Sequence, residues 1–134
     1  MSIEENKQLI QRLFQAVIND GRIEVLDEIF LPGSMIGRSF ADSVNLVRTA
    51  FPDARATIDY LVGEGDQVVV VFTVEGTNTG PFMGQPATGR SIAFSGIHFY
   101  RLKNGRVISA RYEHDLLGLM EQLGMVPQGS RPDI

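Results

Sequence analysis

The hydrophobic pattern changes its period once along the chain, and this change constrains the fold more than any other feature. Before Pro52, apolar residues recur every three or four positions, as on one face of an amphipathic helix. After Pro52 they alternate or form β-branched runs, which favour strands, until a last short helical segment at Leu116–Leu123. Helices followed by strands, without alternating βαβ units, predict an α+β domain with an antiparallel sheet.

Three helices are predicted in the first part of the chain. Ser2-Ile3-Glu4-Glu5 has the spacing of a capping box and begins the first helix, which Gly21 can end in a left-handed conformation. A second, short helix precedes Pro32-Gly33. The third helix is predicted over Ser39–Ala50, with Ser39 at its amino-terminal cap.

Four strands are predicted in the second part of the chain. They cover Ala56–Val62, Gln67–Glu75, Ser91–Leu102 and Val107–His114. Asn104-Gly105 is a strong signal for a two-residue hairpin turn between the last two strands. The glycine-rich segment Gly76–Arg90 lacks the Lys-Ser/Thr ending of a phosphate-binding loop. We therefore expect it to be a loop that covers a sheet edge or a dimer partner.

The charge balance and the amino-acid usage exclude several kinds of site. The net charge is −4, and the 12 lysines and arginines are scattered rather than clustered. Because phosphate backbones are bound by clustered basic side chains, nucleic acid is not expected as a partner. The absence of cysteine excludes disulfides, thiolate zinc sites and a cysteine nucleophile together.

A chain of 134 residues has the size of one domain, so residues 1–134 are interpreted as a single domain. We expect its core at about residues 3–124 and an irregular tail at 125–134, which holds Pro127, Gly129 and Pro132. Met1–Asn6 contains two glutamates, unlike a signal peptide, and no apolar run approaches the roughly 18 residues that cross a bilayer. The expected location is the cytoplasm, without a membrane partner.

Five separated parts of the chain resemble SnoaL-like polyketide cyclases, also called ester cyclases, and occur in that family's order. They are Ala50–Asp53, Gly63–Val68, Gly76–Arg90, Lys103–Val107, and Asp115–Gly118 continued by Gln122–Gly124. The resemblance extends from Glu5 to Gly124. It implies a nuclear transport factor 2-like fold: a cone in which a curved antiparallel sheet wraps around the amino-terminal helices and encloses a pocket.

The resemblance also implies a range of activities. Enzymes of this family close rings by aldol chemistry, or isomerise or hydrate small lipophilic molecules, without a cofactor or metal, and the proteins are usually homodimers. In the sequence itself, only two histidines are present and no His/Asp/Glu cluster has the spacing of metal ligands. Neither a cofactor nor a metal is therefore expected.

His98 is the first candidate for an acid/base residue. Strand alternation places it on one face with Phe94 and Tyr100, and the resemblance puts a pocket His or Asp at its position. A neutral imidazole can take a proton from an activated carbon, and a protonated one can donate to an enolate or epoxide oxygen. The alternative is a histidine at the pocket wall that is hydrogen-bonded to a backbone carbonyl or to water.

Tyr112 marks a departure from the family's pattern. Alternation places it on one face with Ile108 and His114, and the resemblance puts the catalytic Asp of the polyketide cyclases at or beside it. Tyr112 could donate a hydrogen bond to an oxyanion, or it could simply be an aromatic wall residue. Glu113 could supply the missing carboxylate if a bulge shifted the register of the strand by one residue.

The remaining candidates form the wall of the pocket. His114 either lines the pocket mouth or lies exposed at the strand end, and Asp115 is expected to cap the last helix rather than to react. The helices are expected to close the pocket with apolar side chains and to supply no reactive group. The candidate substrate-binding residues are Met35, Phe40, Phe72, Phe94, Tyr100 and His114.

Two functions remain open from the sequence. The first is a cofactor-independent cyclase, isomerase or hydrolase that acts by acid/base catalysis on a hydrophobic secondary metabolite such as a polyketide. In this enzyme His98 would be the acid/base, helped by Tyr112 or Glu113. The second is a small-molecule binding protein or accessory dimer that lacks catalysis, which the missing carboxylate favours. Both predict a small hydrophobic partner molecule and a homodimer.

Overall fold

The computed structural model describes residues 1–127 and Gly129, and in this part of the chain helices precede strands as predicted. The helices are α1 (Ile3–Arg12), which continues as a π-helical segment at Leu13–Asn19, α2 (Leu26–Ile29), which follows a 3₁₀ turn at Ile23–Val25, and α3 (Met35–Ala50). The strands are β1 (Arg55–Glu64), β2 (Gln67–Thr77), β3 (Ser91–Lys103) and β4 (Arg106–His114), and α4 (Leu116–Gln122) follows them.

The predicted helix starts are confirmed for α1 and wrong for α3. At α1, the Ser2 hydroxyl accepts the N–H of Glu5, and the Glu5 carboxylate accepts the N–H of Ser2, which completes the capping box. α3 begins four residues before the predicted start, because Ser34 caps it: its Oγ accepts the N–H of Gly37 at 3.1 Å. Met35 therefore lies in the first turn of a helix and not in the preceding loop.

The four strands form one curved antiparallel sheet in the order β1-β2-β3-β4. The predicted turn between β3 and β4 is confirmed, since Asn104 and Gly105 both have positive φ values, 52° and 75°. α1 packs on β1 and β2, while α2 and α3 contact β4 and α4 contacts β3. The helices therefore cover the inner face of the sheet, as the predicted α+β cone requires.

One bulge changes which residues of β4 face inward. Leu102 pairs with Val107 while Arg101 pairs with Ser109, so Ile108 is an extra residue in β4. Val107 is buried, and Ile108 is 43% exposed on the outer face. The prediction that Ile108 shares the inner face with Tyr112 is therefore wrong, because alternation does not continue across a bulge.

Among the described residues, none of the helices combines the length and the apolarity that a bilayer crossing requires. The predicted tail is described only in part: Gln128 and residues 130–134, including Pro132, lie outside the described residues.

Candidate active site

A cavity of about 240 Å³ lies between α3, the inner face of the sheet and α4. Five phenylalanines contribute to its largely apolar wall, namely Phe40, Phe51, Phe72, Phe82 and Phe94. Its polar lining side chains are Ser43, Arg48, His98 and His114. The cavity therefore suits an apolar organic molecule that carries a few polar atoms.

His98 lies at the cavity wall with both of its ring nitrogens engaged. The side chain is buried, and Nδ1 lies 2.7 Å from the Tyr100 hydroxyl. Nε2 lies 2.9 Å from Nε2 of His114 on the neighbouring strand. The prediction that His98 faces the pocket is confirmed by this position. Both nitrogens are hydrogen-bonded, however, so neither is free to accept a proton from a molecule in the cavity.

Burial favours the neutral form of both imidazoles. It lowers the pKa of His98 to about 3, and the nearby His114 acts in the same direction. Burial also lowers the pKa of His114, although the neighbouring Glu113 carboxylate opposes this change. His98 is therefore neutral at physiological pH, and the neutral form of His114 is favoured there as well.

His114 lies at the cavity mouth, which reconciles the two predictions made for it. His114 is exposed to solvent at the end of β4, and it also lines the cavity. Its ring packs near those of Phe72 and Phe94, with centroid distances of 6.1 and 6.3 Å. Within the described residues, its Nδ1 takes part in no hydrogen bond, so this nitrogen is available to a ligand.

Gly96 provides the space in which the two histidines meet, and the sequence interpretation did not single it out. It pairs with His114 across the β3–β4 ladder, on the inner face. A Cβ atom there would lie 2.5 Å from Phe72 Cζ and 2.7 Å from His114 Cδ2. A glycine inside a strand marks such a close approach, so this signal was present in the sequence.

The two tyrosines of the inner face lie in a layer behind the cavity wall. Tyr100 is fully buried and is not a lining residue, so the prediction that it contacts the substrate is wrong. The Tyr112 ring packs on His98 at a centroid distance of 4.5 Å and near Phe40, and both of these neighbours line the cavity while Tyr112 does not. The Tyr112 hydroxyl is buried without a hydrogen-bond partner among the described residues. Burial raises its pKa to about 12.

Two other candidates lie away from the cavity. Met35 is 75% exposed, because the early start of α3 places it in a solvent-facing first turn. Glu113 pairs with Ile97 on the outer, exposed face of the sheet. A bulge does occur in β4, but it lies before Ser109, so it leaves Glu113 outside. The sequence predictions for Met35 and Glu113 are therefore wrong.

Helix α3 contributes polar side chains and the glycine-rich loop contributes an aromatic side chain to the cavity wall, which the sequence does not predict. Ser43 and Arg48 of α3 line the cavity, although Arg48 also donates to the carbonyls of Ile18 and Asn19. Phe82 of the loop is buried in the wall and stacks near Phe51 at 5.6 Å. Buried Asn78 holds the loop in place. No local sequence signal distinguishes an inward-folded loop from one that covers a sheet edge.

Asn78 anchors the loop through both ends of its side-chain amide. Its Nδ2 donates to the carbonyl oxygens of Ala50 and Gly80, and its Oδ1 accepts from the backbone N–H and the hydroxyl of Thr88. Because each polar atom of this buried side chain has a partner, the loop that carries Phe82 is fixed on the end of α3.

In the described part of the chain, no three histidine, cysteine, aspartate or glutamate side chains come together as a group that could hold a metal ion. Nor does any carboxylate belong to the lining of the cavity within residues 1–127 and Gly129. Among the described lining side chains, the two imidazoles are therefore the only groups whose ordinary pKa lies near neutral pH.

Comparison with known proteins identifies related chains. The model of the SnoaL-like polyketide cyclase family matches residues 8–123. Aklanonic acid methyl ester cyclase DnrD of Streptomyces peucetius is 31% identical over 120 residues, which cover 86% of this chain and 79% of that protein. Aklanonic acid methyl ester cyclase DauD of Streptomyces sp. (strain C5) is 29% identical over 141 aligned positions, covering 92% and 86%.

A solved structure has the same fold. TsrD from Streptomyces laurentii superposes with a TM-score of 0.84 at 28% sequence identity, and the match covers 94% of this chain and 99% of that one. The fold implied by the five sequence segments is therefore confirmed.

Proposed function

Because the chain belongs to the SnoaL-like polyketide cyclase family, we propose that it closes a ring in an apolar carbonyl compound by an intramolecular aldol reaction. The observation that carries this proposal is the hydrogen-bonded pair His98–His114 at the wall of an apolar cavity. The relatives that act on aklanonic acid methyl ester support a polyketide methyl ester as the substrate class.

The proposed reaction moves one proton and forms one carbon–carbon bond. A C–H beside a carbonyl group loses its proton, and the enolate carbon attacks a second carbonyl carbon of the same molecule. The alkoxide that results takes up a proton, so the product is an isomer of the substrate. A polar group that stabilises the enolate or alkoxide oxygen lowers the barrier of both steps.

His114 is proposed as the side chain that contacts the reacting carbonyl, in place of His98. It lies at the cavity mouth with Nδ1 free, whereas both nitrogens of His98 are engaged. His98 then acts as the buried partner that orients His114. Solvent at the mouth accepts and returns the proton, which accords with a wall that carries no carboxylate within the described residues.

Turnover of aklanonic acid methyl ester tests this proposal. The wild-type protein is incubated with the ester, and a cyclised isomer is sought by chromatography and mass spectrometry. His114→Phe keeps an aromatic ring at the mouth and is expected to lower the rate by about 10²-fold. Met35→Ala, on an exposed residue outside the wall, is the matched control and should retain the wild-type rate. Equal rates for all three proteins would refute the role of His114.

A second function, binding without catalysis, is favoured by one observation: no carboxylate lines the cavity in the described part of the chain. A binding protein would hold the ester without converting it. Calorimetric titration with the same ester separates the two functions. Binding without any turnover would support the binding protein, and turnover lost in His114→Phe would support the cyclase.

We further propose that the protein is a homodimer that pairs through the outer face of the sheet. Four apolar side chains there are between 43% and 68% exposed, namely Tyr60, Val62, Ile97 and Ile108. Tyr60 and Ile97 both pair with Val71, so these three residues form one apolar row across β1, β2 and β3. An exposed apolar patch is typical of an interaction surface. Light scattering on the wild-type protein should give twice the chain mass, and Ile97→Glu should give a monomer. A monomeric wild-type protein at micromolar concentration would refute the dimer.

A further inference from the structure

We propose that Tyr100 is a positioning residue that fixes the tautomers of both histidines, so that His114 presents an N–H, and not a lone pair, to a carbonyl oxygen in the cavity. The inference rests on the proposed function, whose chemistry it specifies: His114 would act as a hydrogen-bond donor to the developing oxyanion and not as a base. Two hydrogen-bond contacts and the position of His114 at the cavity carry it, in order from Tyr100 to the cavity.

The first contact sets the direction of the hydrogen bonds. The Tyr100 hydroxyl is fully buried, and His98 Nδ1 is its hydrogen-bond partner at 2.7 Å. If His98 donated to this hydroxyl, the hydroxyl hydrogen would be left without an acceptor in the interior. A buried donor without a partner is rarer and costlier than an acceptor with a spare lone pair. Tyr100 therefore donates, and His98 Nδ1 accepts.

The second contact links His98 to His114 on the neighbouring strand, and the first hydrogen bond determines which of the two histidines donates in it. In a neutral imidazole, one nitrogen carries the hydrogen and the other accepts, so His98 carries its hydrogen on Nε2. That atom lies 2.9 Å from His114 Nε2, and a hydrogen bond of this length holds one hydrogen between the two nitrogens. His98 supplies it. His114 Nε2 must then accept, and the hydrogen of His114 lies on Nδ1.

The third observation is the position of His114 at the cavity. His114 lines the cavity, and its Nδ1 has no hydrogen-bond partner within the described residues. An N–H at this position can donate to a carbonyl oxygen and stabilise the negative charge that develops there. No proton has to leave the imidazole. The hydrogen bond strengthens as the enolate or alkoxide oxygen forms.

The inner face also offers a matched control for Tyr100. Tyr112 lies beside His98 on the other strand, and its ring centroid is 4.5 Å from that of His98. Its hydroxyl is buried but has no hydrogen-bond partner among the described residues. Removal of the Tyr112 hydroxyl thus perturbs the same aromatic cluster without touching the hydrogen bonds that set the tautomers.

Nitrogen NMR of the two imidazoles tests the inference directly. With only two histidines in the sequence, ¹⁵N-labelled protein gives two sets of ring signals, and long-range proton–nitrogen correlations identify the protonated nitrogen in each. In the wild-type protein at pH 7.5 we expect the hydrogen of His98 on Nε2 and that of His114 on Nδ1. The form with hydrogen on Nε2 prevails for free histidine, so the Nδ1–H form of His114 is diagnostic.

Two variants separate the role of the hydroxyl from general packing. Tyr100→Phe should return His114 to a mixture or to the Nε2–H form, whereas Tyr112→Phe should leave both tautomers as in the wild type. Both variants keep the aromatic ring and are expected to fold, which amide spectra verify. A wild-type His114 with its hydrogen on Nε2, or a Tyr100→Phe protein with unchanged tautomers, would overturn the inference.

A ketone probe distinguishes failure of this inference from failure of the proposed function. 1-Tetralone, an apolar aromatic ketone, is titrated into the labelled protein, and its hydrogen bond should shift the His114 Nδ1 signals more than those of His98. If the tautomers are as expected but no ester is converted, the proposed cyclase activity is rejected and the inference about the tautomers stands. Saturable binding of 1-tetralone without a shift at His114 Nδ1 would reject the donor role assigned to His114.

Discussion

The inner and outer faces of the same sheet are both rich in apolar residues, yet they differ in what covers them. Along β3, the inward positions Phe94, His98 and Tyr100 are buried under helices, while Ile97 on the outer face is 48% exposed. The cover buries His98, and this burial moves the pKa of His98 to about 3. Desolvation rather than residue type makes the inner face a candidate site.

The largest expected difference between the two faces concerns packing. Phe72 is buried and contacts the rings of Phe14 and His98, so Phe72→Ala should lower the free energy of unfolding by about 3–5 kcal/mol. On the outer face, Ile97→Ala should cost less than about 1 kcal/mol in the monomer, because no helix packs on it. Urea unfolding at a protein concentration that keeps the chain monomeric measures both. Equal losses of unfolding free energy in the two variants would show that the two faces do not differ in packing.

The next difference concerns space. Gly96→Ala adds a methyl group where Phe72 and His114 already meet, and it should cost about 1–3 kcal/mol of stability. It should also separate His114 from His98, which the ¹⁵N signals of the two imidazoles would report. Ser95→Ala, one residue away on the exposed face, should stay within about 0.5 kcal/mol of the wild type. A fully tolerated Gly96→Ala would mean that the inner face is not closely packed there.

The third difference concerns pH. The pKa of His98 is about 3 in the folded protein and about 6.5 in the unfolded chain, so the unfolded chain binds more protons between these values. Stability from this group is complete above about pH 6.5 and is lost as the pH falls toward 3. Between pH 6 and 4, the wild-type protein should lose about 1 kcal/mol per pH unit more than His98→Gln, measured by urea unfolding. Parallel pH profiles would show that His98 titrates normally.

The smallest effect is expected for an exposed hydrogen bond on the outer face. The Thr73 hydroxyl donates to the Asp59 carboxylate at 2.7 Å in contact with solvent. Thr73→Val should change the free energy of unfolding by no more than about 0.5 kcal/mol, since water replaces the lost partner. Tyr100→Phe removes a buried hydrogen bond and should cost about 1–3 kcal/mol. If Thr73→Val lowered the free energy of unfolding more than Tyr100→Phe, the claim that hydrogen bonds of the inner face contribute more to stability would be wrong.

Features set by neighbouring residues were predictable from the sequence. The capping box at Ser2, the Asn104-Gly105 turn and the Asp115 cap, which accepts the N–H of Gly118, all depend on residues a few positions apart. The inward positions of β3 follow from uninterrupted alternation, so His98 was placed correctly. The family and its fold were predicted from five short segments that occur in the order typical of SnoaL-like polyketide cyclases.

The features that the sequence could not give depend on contacts between distant segments. The bulge at Ile108 is fixed by pairing with Leu102 and not by its own neighbours. The choice of Ser34 over Ser39 as the cap of α3 decides the exposure of Met35, and both serines have cap chemistry. The hydrogen bond between the histidines needs the exact β3–β4 register and the missing side chain at Gly96.

Exchange of the α-protons of 1-tetralone in D₂O tests the central claim most directly, because it needs neither the natural substrate nor a completed ring. Proton NMR follows the loss of the α-proton signal at ketone concentrations that fill the cavity. We predict that the wild-type protein accelerates the exchange and that His114→Phe loses about 10²-fold of this acceleration, while Met35→Ala retains it. Exchange at the same rate with wild type, His114→Phe and no protein would contradict the claim that this imidazole pair activates a carbonyl compound.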